Sequence, residues 1–189
     1  MLLDELPELE NLRFARLSFD RSATLHPALV AAVQTPQGEF AGIQRTYLTE
    51  DGRKLDAHSA KRSLGALKGN AIIIGYDIEI AQDCFYVCEG LEDGLSLARA
   101  FDDGPVFVAA GAGMMRFLEL PSECKKVFIG ADNDEPGMRA AQEAARSFEA
   151  KGIEAIVMPP HWRYKDWNEY LQAMVAAGLD PRHPYKIAG

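Results

Sequence analysis

The sequence predicts an α/β protein in which helices pack on a parallel sheet, preceded by a smaller β-rich unit. Three observations carry this prediction. From residue 84 onward, short apolar runs rich in β-branched and aromatic residues alternate with stretches of helical pattern, and strands that alternate with helices require crossover connections and parallel pairing. Residues 12–75 have a different rhythm, with strand-forming runs separated by turn chemistry, as in an antiparallel meander. Acidic residues stand at the ends of two of the later strands: Glu89 after one, Asp132 and Asp134 after another.

In chain order, residues 1–11 form an acidic leader, helical or loose. Ala28 to Gln34 is a short apolar run, followed by the turn Thr35-Pro-Gln-Gly38. Phe40 to Thr49 mixes strand formers and runs into Glu50-Asp-Gly-Arg53, where Asp-Gly is a strong hairpin signal. Ala71 to Ile74 is the last strand of the meander. Cys84 to Cys88 then begins the alternating half, with helix from Glu92 to Phe101, strand from Val106 to Ala110, and a loop with a short helix to Leu118. Val127 to Ala131 is the next strand. Pro136 and Gly137 lead into a helix over Met138 to Lys151 that Gly152 stops. Ala155 to Met158 is the fourth strand, and Trp167 to Ala177 is a final helix ending at Gly178. The division expected is 1–11 leader, 12–75 N-terminal subdomain, 76–178 α/β domain and 179–189 tail.

The chain of 189 residues, 48% hydrophobic and 25% charged, suits one domain or one and a half with a real core. No run approaches the roughly 18 apolar residues of a membrane span, and the start Met1-Leu-Leu-Asp-Glu5 has no basic region of a signal peptide. Cys84, Cys88 and Cys124 are odd in number and form no CxxC pair, which argues against a disulfide framework and a zinc ribbon. A cytoplasmic protein without membrane contact is expected. Net charge is −8, but residues 11–75 hold nine Lys and Arg against five Asp and Glu. A basic segment before an acidic one suits a phosphate-binding arm beside a carboxylate metal site, or else an unevenly charged solvated surface.

The chemistry lies at the strand ends. In a parallel sheet all strands finish on one edge, so Glu89 and the Asp132/Asp134 pair can converge, and ligands of open α/β sheets bind on that edge. Three carboxylates there make an oxygen-rich site for Mg²⁺ or Mn²⁺, ions that stabilise charge in phosphoryl transfer. A desolvated Glu89 could also move a proton. Taken singly, Glu89 and Asp132 suit helix capping equally well; their common register favours the site. Asp93 can support a second metal or act as a first-turn helix acid, and Glu92 and Glu135 are first-turn acids of the same kind. Asp166 approaches the same edge or caps the last helix. Asp132-Asn-Asp134 does not fit an aspartyl phosphatase, because Glu135-Pro136 follows. Nor does it fit a calcium loop, whose positions five and nine would be Pro136 and Ala140. Gly111-Ala-Gly113 is too short a match for a dinucleotide site. Trp162, Trp167 and Tyr170 offer rings for stacking on bases, with core or rim packing the favoured role. His26 enters a strand, and His58, His161 and His183 have no ligand spacing.

Glu89-Gly90 followed by Asp132-Asn-Asp134 and Gly137, in this order of strands and helices, resembles the Toprim domain. The chain is most similar to the primase-like Toprim proteins of phages and plasmids. That resemblance includes Leu12-Arg-Phe14, His26-Pro-Ala-Leu-Val30, Gly42-Ile-Gln-Arg-Thr-Tyr47, Asp51-Gly-Arg-Lys54, Ala60-Lys-Arg-Ser-Leu-Gly65, Lys68-Gly69 and Lys165-Asp-Trp-Asn168. It covers about residues 12–171. It implies a four-stranded parallel sheet flanked by helices, with Glu89 as acid/base or metal ligand and Asp132 and Asp134 as metal ligands. It further implies that Arg45, Lys54, Lys61, Arg62 and Lys68 line a groove for template or nucleotide triphosphate, although each also suits surface solubility. The implied activity is primer synthesis on single-stranded DNA, with a helicase or another replication protein as partner. A Toprim nuclease and a non-catalytic binding module are the alternatives. Within the sequence no zinc-binding module precedes residue 12 and no helicase module follows residue 171, so the chain reads as a minimal protein or as a piece of a longer one.

Overall fold

The computed structural model describes residues 10–19, 23–56, 60–75, 82–111 and 113–182. Most of the leader, His58, His183 and most of the tail lie outside them. The elements are β1 Leu12–Ser18, β2 Leu25–Gln34, β3 Phe40–Tyr47, β4 Lys61–Gly65, β5 Ala71–Ile74, β6 Cys84–Cys88, α1 Leu91–Ala100, β7 Val106–Ala109, β8 Lys126–Gly130, α2 Glu135–Glu149, β9 Glu154–Met158 and α3 Trp167–Ala176, with a 3-10 turn at Met115–Phe117.

One sheet runs through the molecule in the order β4-β3-β2-β5-β7-β6-β8-β9, with β1 beside β2. Strands β7, β6, β8 and β9 are mutually parallel, the four-stranded parallel sheet expected. Strands β1 to β4 form an antiparallel meander. Ala71–Ile74 does not close that meander. It runs antiparallel to β7 over four residues and meets β2 at the single pair Gln34↔Ala71. The reason is burial: all four residues of β5 are apolar and buried, which suits an interior strand between the two parts.

The parallel strands alternate between two cores. Tyr86, Cys88, Val106 and Val108 face α1 and α3, while Phe85, Val87, Phe107, Val127 and Ile129 face α2. Trp167 and Tyr170 pack in the first core, so these two rings are structural. Helix α2 begins at Glu135, three residues earlier than the sequence suggests. Asp134 caps it by accepting from Gly137 N at 2.7 Å, and Pro136 sits in the first turn, where a missing N–H costs nothing. Gly152 and Gly178 adopt positive φ just past α2 and α3, the conformation that ends a helix most easily in glycine. Among the described residues no helix is long and apolar enough to cross a membrane.

Candidate functional site

The strand order contains a reversal. From β6 the chain crosses through α1 to β7 on one side, and from β8 it crosses through α2 to β9 on the other. Adjacent strands β6 and β8 therefore send their following segments to opposite faces. A crevice opens between their carboxyl ends, where doubly wound sheets hold their ligands. Glu89 leaves β6 and Asp132 leaves β8 at that point. Both line an open pocket of about 310 Å³, together with Asp93 and Asp166 and with Lys54, Lys61 and Gln44 from the antiparallel sheet.

The carboxylates in this pocket are poorly compensated. Burial holds the Glu89 carboxyl above the ordinary glutamate range; the charge of Asp132, and after it that of Asp134, act in the same direction against Lys61. Asp132 is raised by burial and by Asp166 and Asp134, opposed by Lys165 and Lys61. Asp93 is pushed up to about 7 by burial, with Asp166, Asp132 and Glu92 adding to the effect and a backbone hydrogen bond from Asn168 opposing it. Glu92 behaves in the opposite way. Burial works to raise it, but Lys61 at 3.0 Å and Lys54 at 3.4 Å outweigh this, and its carboxyl lies below the ordinary range.

Two of the expected site residues are helix caps, and Asp134 is not among those that line the pocket. Asp134 caps α2, while Asp166 caps α3 by accepting from Glu169 N at 2.8 Å. Asp93 Oδ1 accepts from Asn168 N at 3.0 Å, so this residue of α1 fastens the start of α3 to the pocket. Gly90 and Gly137 are needed for close approach. A Cβ on Gly137 would lie 2.7 Å from Asp132 Cβ, and one on Gly90 would lie 2.9 Å from Asp93 Oδ2. Asn133 holds the loop after β9 in place. Its Nδ2 donates to Pro160 O at 3.0 Å and to Tyr164 O at 2.7 Å, and its backbone N donates to Lys165 O at 2.7 Å. These bonds set Lys165 and Asp166 beside Asp132.

The five basic residues expected to line one groove are divided by the pleat. The pairs Thr46↔Lys61 and Gln44↔Ser63 put those side chains on the pocket face, where Gln44 Nε2 also donates to Ala110 O at 2.9 Å. Arg45 and Arg62, paired with each other, fall on the opposite face. There Arg62 lies 4.0 Å above the Phe19 ring, and Arg45 Nε is buried without a hydrogen bond. Lys68 sits 4.6 Å from the centre of the Phe117 ring. The pocket thus gathers Lys54 and Lys61 but not Arg45, Arg62 or Lys68. The sequence did not point to Glu92 as their partner or to Asn133 as the loop anchor; an Asn between two candidate ligands was the one available signal.

The donor set fits a hard divalent cation, since carboxylate oxygens dominate the crevice and their mutual repulsion is what an ion would relieve. Among the described residues no three His, Cys, Asp or Glu side chains stand as a preformed metal cage.

This arrangement defines a class. Residues 84–177 match the family model of the Toprim domain, and this part of the chain is a Toprim domain. Residues 3–74 match a domain of unknown function, DUF7146. Over about nine tenths of its length the chain has a fold similar to that of primase fragments. Against the primase fragment of the bacteriophage T7 primase-helicase protein the TM-score is 0.57 at 19% identity, covering 89% of this chain and 63% of that one. Against the Aquifex aeolicus primase (zinc-binding and RNA polymerase domains) it is 0.53 at 18% identity, covering 90% and 43%. A second T7 structure, of the lagging-strand DNA polymerase interacting with primase domains bound to an RNA/DNA hybrid and dTTP, matches with a TM-score of 0.52 at 15% identity, covering 88% and 76%. This chain therefore spans less than two thirds of the T7 fragment and less than half of the Aquifex protein. No curated protein matches the sequence significantly.

Proposed function

We propose that the chain is the catalytic core of a primase-type nucleotidyltransferase that makes RNA primers on single-stranded DNA. The observation that carries this reading is the pocket itself. The carboxylates of Glu89, Asp93, Asp132 and Asp166 form one wall and Lys54 and Lys61 the other, an arrangement suited to a metal-bound triphosphate. A hydrolase of the same fold has no need of the lysine wall. The similarity of fold to primase fragments supports the same conclusion.

In this reading Glu89, Asp132 and Asp134 hold Mg²⁺ or Mn²⁺. When bound, the ion would supply charge neutralisation at the phosphates. Glu89 is either a ligand of that ion or the base that accepts the proton of the attacking 3′-hydroxyl. Lys61 and Lys54 turn from Glu92 to the triphosphate. Asp93, from the first turn of α1, and Asp166, at the start of α3, support the site within reach of a second ion. Arg45, Arg62 and Lys68 contact backbone phosphates of the template, away from the reacting atoms. Residues 12–75 and 76–178 act as the template-binding subdomain and the Toprim domain. The setting is replication in the cytoplasm, on a phage or plasmid genome, with a helicase or another replication protein as partner.

The test is a gel. The chain is incubated with single-stranded DNA, ribonucleotides and Mg²⁺ or Mn²⁺, with the label on the ribonucleotides in one set of lanes and on the DNA end in the other, beside Asp132→Asn and Glu89→Gln. New or lengthened products that both variants lack are expected. Full activity in either variant removes the proposed site, and shortened DNA assigns hydrolysis instead.

A further inference from the structure

The loop after β9 carries a feature that the carboxylate chemistry does not use. Trp162 is 75% exposed, in contrast to Trp167, which is 1% exposed and fixed by donating Nε1 to Met158 O. The Arg163 guanidinium lies 5.2 Å from the centre of the Trp162 ring, and the His161 ring lies 5.3 Å away on a tilted plane. Beside it is an apolar hollow of about 600 Å³ formed by Phe128, Ile156, Met158 and Pro160. No Asp or Glu occurs from residue 155 to residue 165, while Arg163 and Lys165 do. Among the described residues Arg163 has no acidic partner. This is a cationic, aromatic step in a chain that is acidic as a whole.

The step is rigidly tied to the carboxylates. Asn133, which lies between Asp132 and Asp134, donates to the carbonyls of Pro160 and Tyr164 on either side of Trp162. Tyr164 N closes the turn onto His161 O at 2.9 Å, and the Tyr164 ring packs edge-on against Tyr170 of the core. A flat ring held in place with a guanidinium beside it binds a nucleobase by stacking while the cation meets the adjoining phosphate.

We infer that Trp162 and Arg163 form a stacking platform for an unpaired base of a single nucleic-acid strand, positioning that strand relative to the Glu89/Asp132 pocket. The inference rests on the nucleotidyltransferase reading above and names a contact for its template. The platform's occupant is a base carried on a strand. A free nucleotide shares the stacking chemistry, and the two are separated by experiment.

The chain contains two tryptophans, so emission reports the platform directly. With Mg²⁺ present, the full chain is titrated with oligo(dT) and, separately, with ATP, while the anisotropy of a labelled oligonucleotide gives the affinity. Oligo(dT) should quench the wild type. In Trp162→Phe the quenching should vanish while affinity stays within about threefold, because a phenyl ring still stacks. Trp162→Ala should weaken binding about tenfold, the scale of one stacked base, with the melting temperature unchanged because the side chain is exposed. Unchanged affinity in Trp162→Ala, or binding without quenching in the wild type, would overturn the platform. Quenching by ATP but not by oligo(dT) would overturn the strand assignment. Primer extension measured on the same samples separates the two readings: extension with normal binding by Trp162→Ala refutes the platform alone, and a wild type that neither binds nor extends refutes both.

Discussion

Asp93 offers the sharpest test of the pocket's electrostatics. Its carboxyl titrates at about 7 against an ordinary value of 3.8, chiefly because of burial. The folded state therefore binds a proton that the unfolded chain releases. Between about pH 4 and pH 7 the unfolded state holds fewer protons, so unfolding free energy falls as pH rises and levels off above the folded value. The gap between the two values, at about 1.4 kcal/mol per pH unit, sets an upper limit of about 4 kcal/mol on the loss. Asp93→Asn keeps an oxygen that can accept from Asn168 N and removes the titration. The variant should match wild-type stability within about 1 kcal/mol at pH 4 and exceed it by up to roughly 4 kcal/mol at pH 8. Urea unfolding without added metal at several pH values measures this. Glu89 and Asp132 are raised too, so a smaller downward slope should persist in the variant. If the two proteins lose stability in parallel from pH 4 to pH 8, Asp93 is not the buried acid described here.

Two further substitutions probe how the site is held. Asn133→Ala removes the donor to Pro160 and Tyr164 and should cost roughly 1–3 kcal/mol of stability, as loss of a partner for partly buried carbonyls does; Mg²⁺ affinity, read by calorimetry, should fall with it because only the backbone bond to Lys165 O then holds Lys165 and Asp166 beside Asp132. Gly137→Ala would ordinarily favour a helix, but here the new Cβ would lie 2.7 Å from Asp132 Cβ and 3.0 Å from Asp132 O. The overpacking cost of about 1–3 kcal/mol should win, giving a lower melting temperature and weaker metal binding instead of the gain seen at an open helical glycine.

Much of this arrangement is legible in the sequence, for physical reasons. The strands β6 to β9 announce themselves because their runs are largely apolar, with β6 and β7 buried almost throughout, and their alternation with helices fixes the parallel order. Glu89 and Asp132 could be brought together on that ground alone. Strands β1 and β4 escaped notice because Arg13, Arg16, Lys61 and Arg62 interrupt them, and their pairing comes from neighbours, not from their own pattern. The division of the basic residues was hidden for a related reason. A strand turns successive side chains to opposite faces, so Lys61 and Arg62 must part, but the sequence does not say which parity meets the pocket. The early start of α2 was masked by Pro136 and Gly137, which look like breakers until Asp134 is seen as the cap.

Lys61 shows why the two parts of the sheet need each other. It forms an ion pair with Glu92, and it also counters the raised carboxyls of Glu89 and Asp132. One ammonium thus offsets part of the repulsion among three acids that belong to the Toprim domain, yet it is supplied by β4 of the antiparallel sheet. Its place is set by the pairing of β4 with β3, and by Gln44 and Ser63, which both donate to Ala110 O at the end of β7. A change that slipped β3 by one residue would turn Gln44 and Thr46 away from the pocket and bring Arg45 toward it. The carboxylates would then keep their strands while the groups facing them from the antiparallel sheet changed, so the register of that sheet is part of the site's electrostatics.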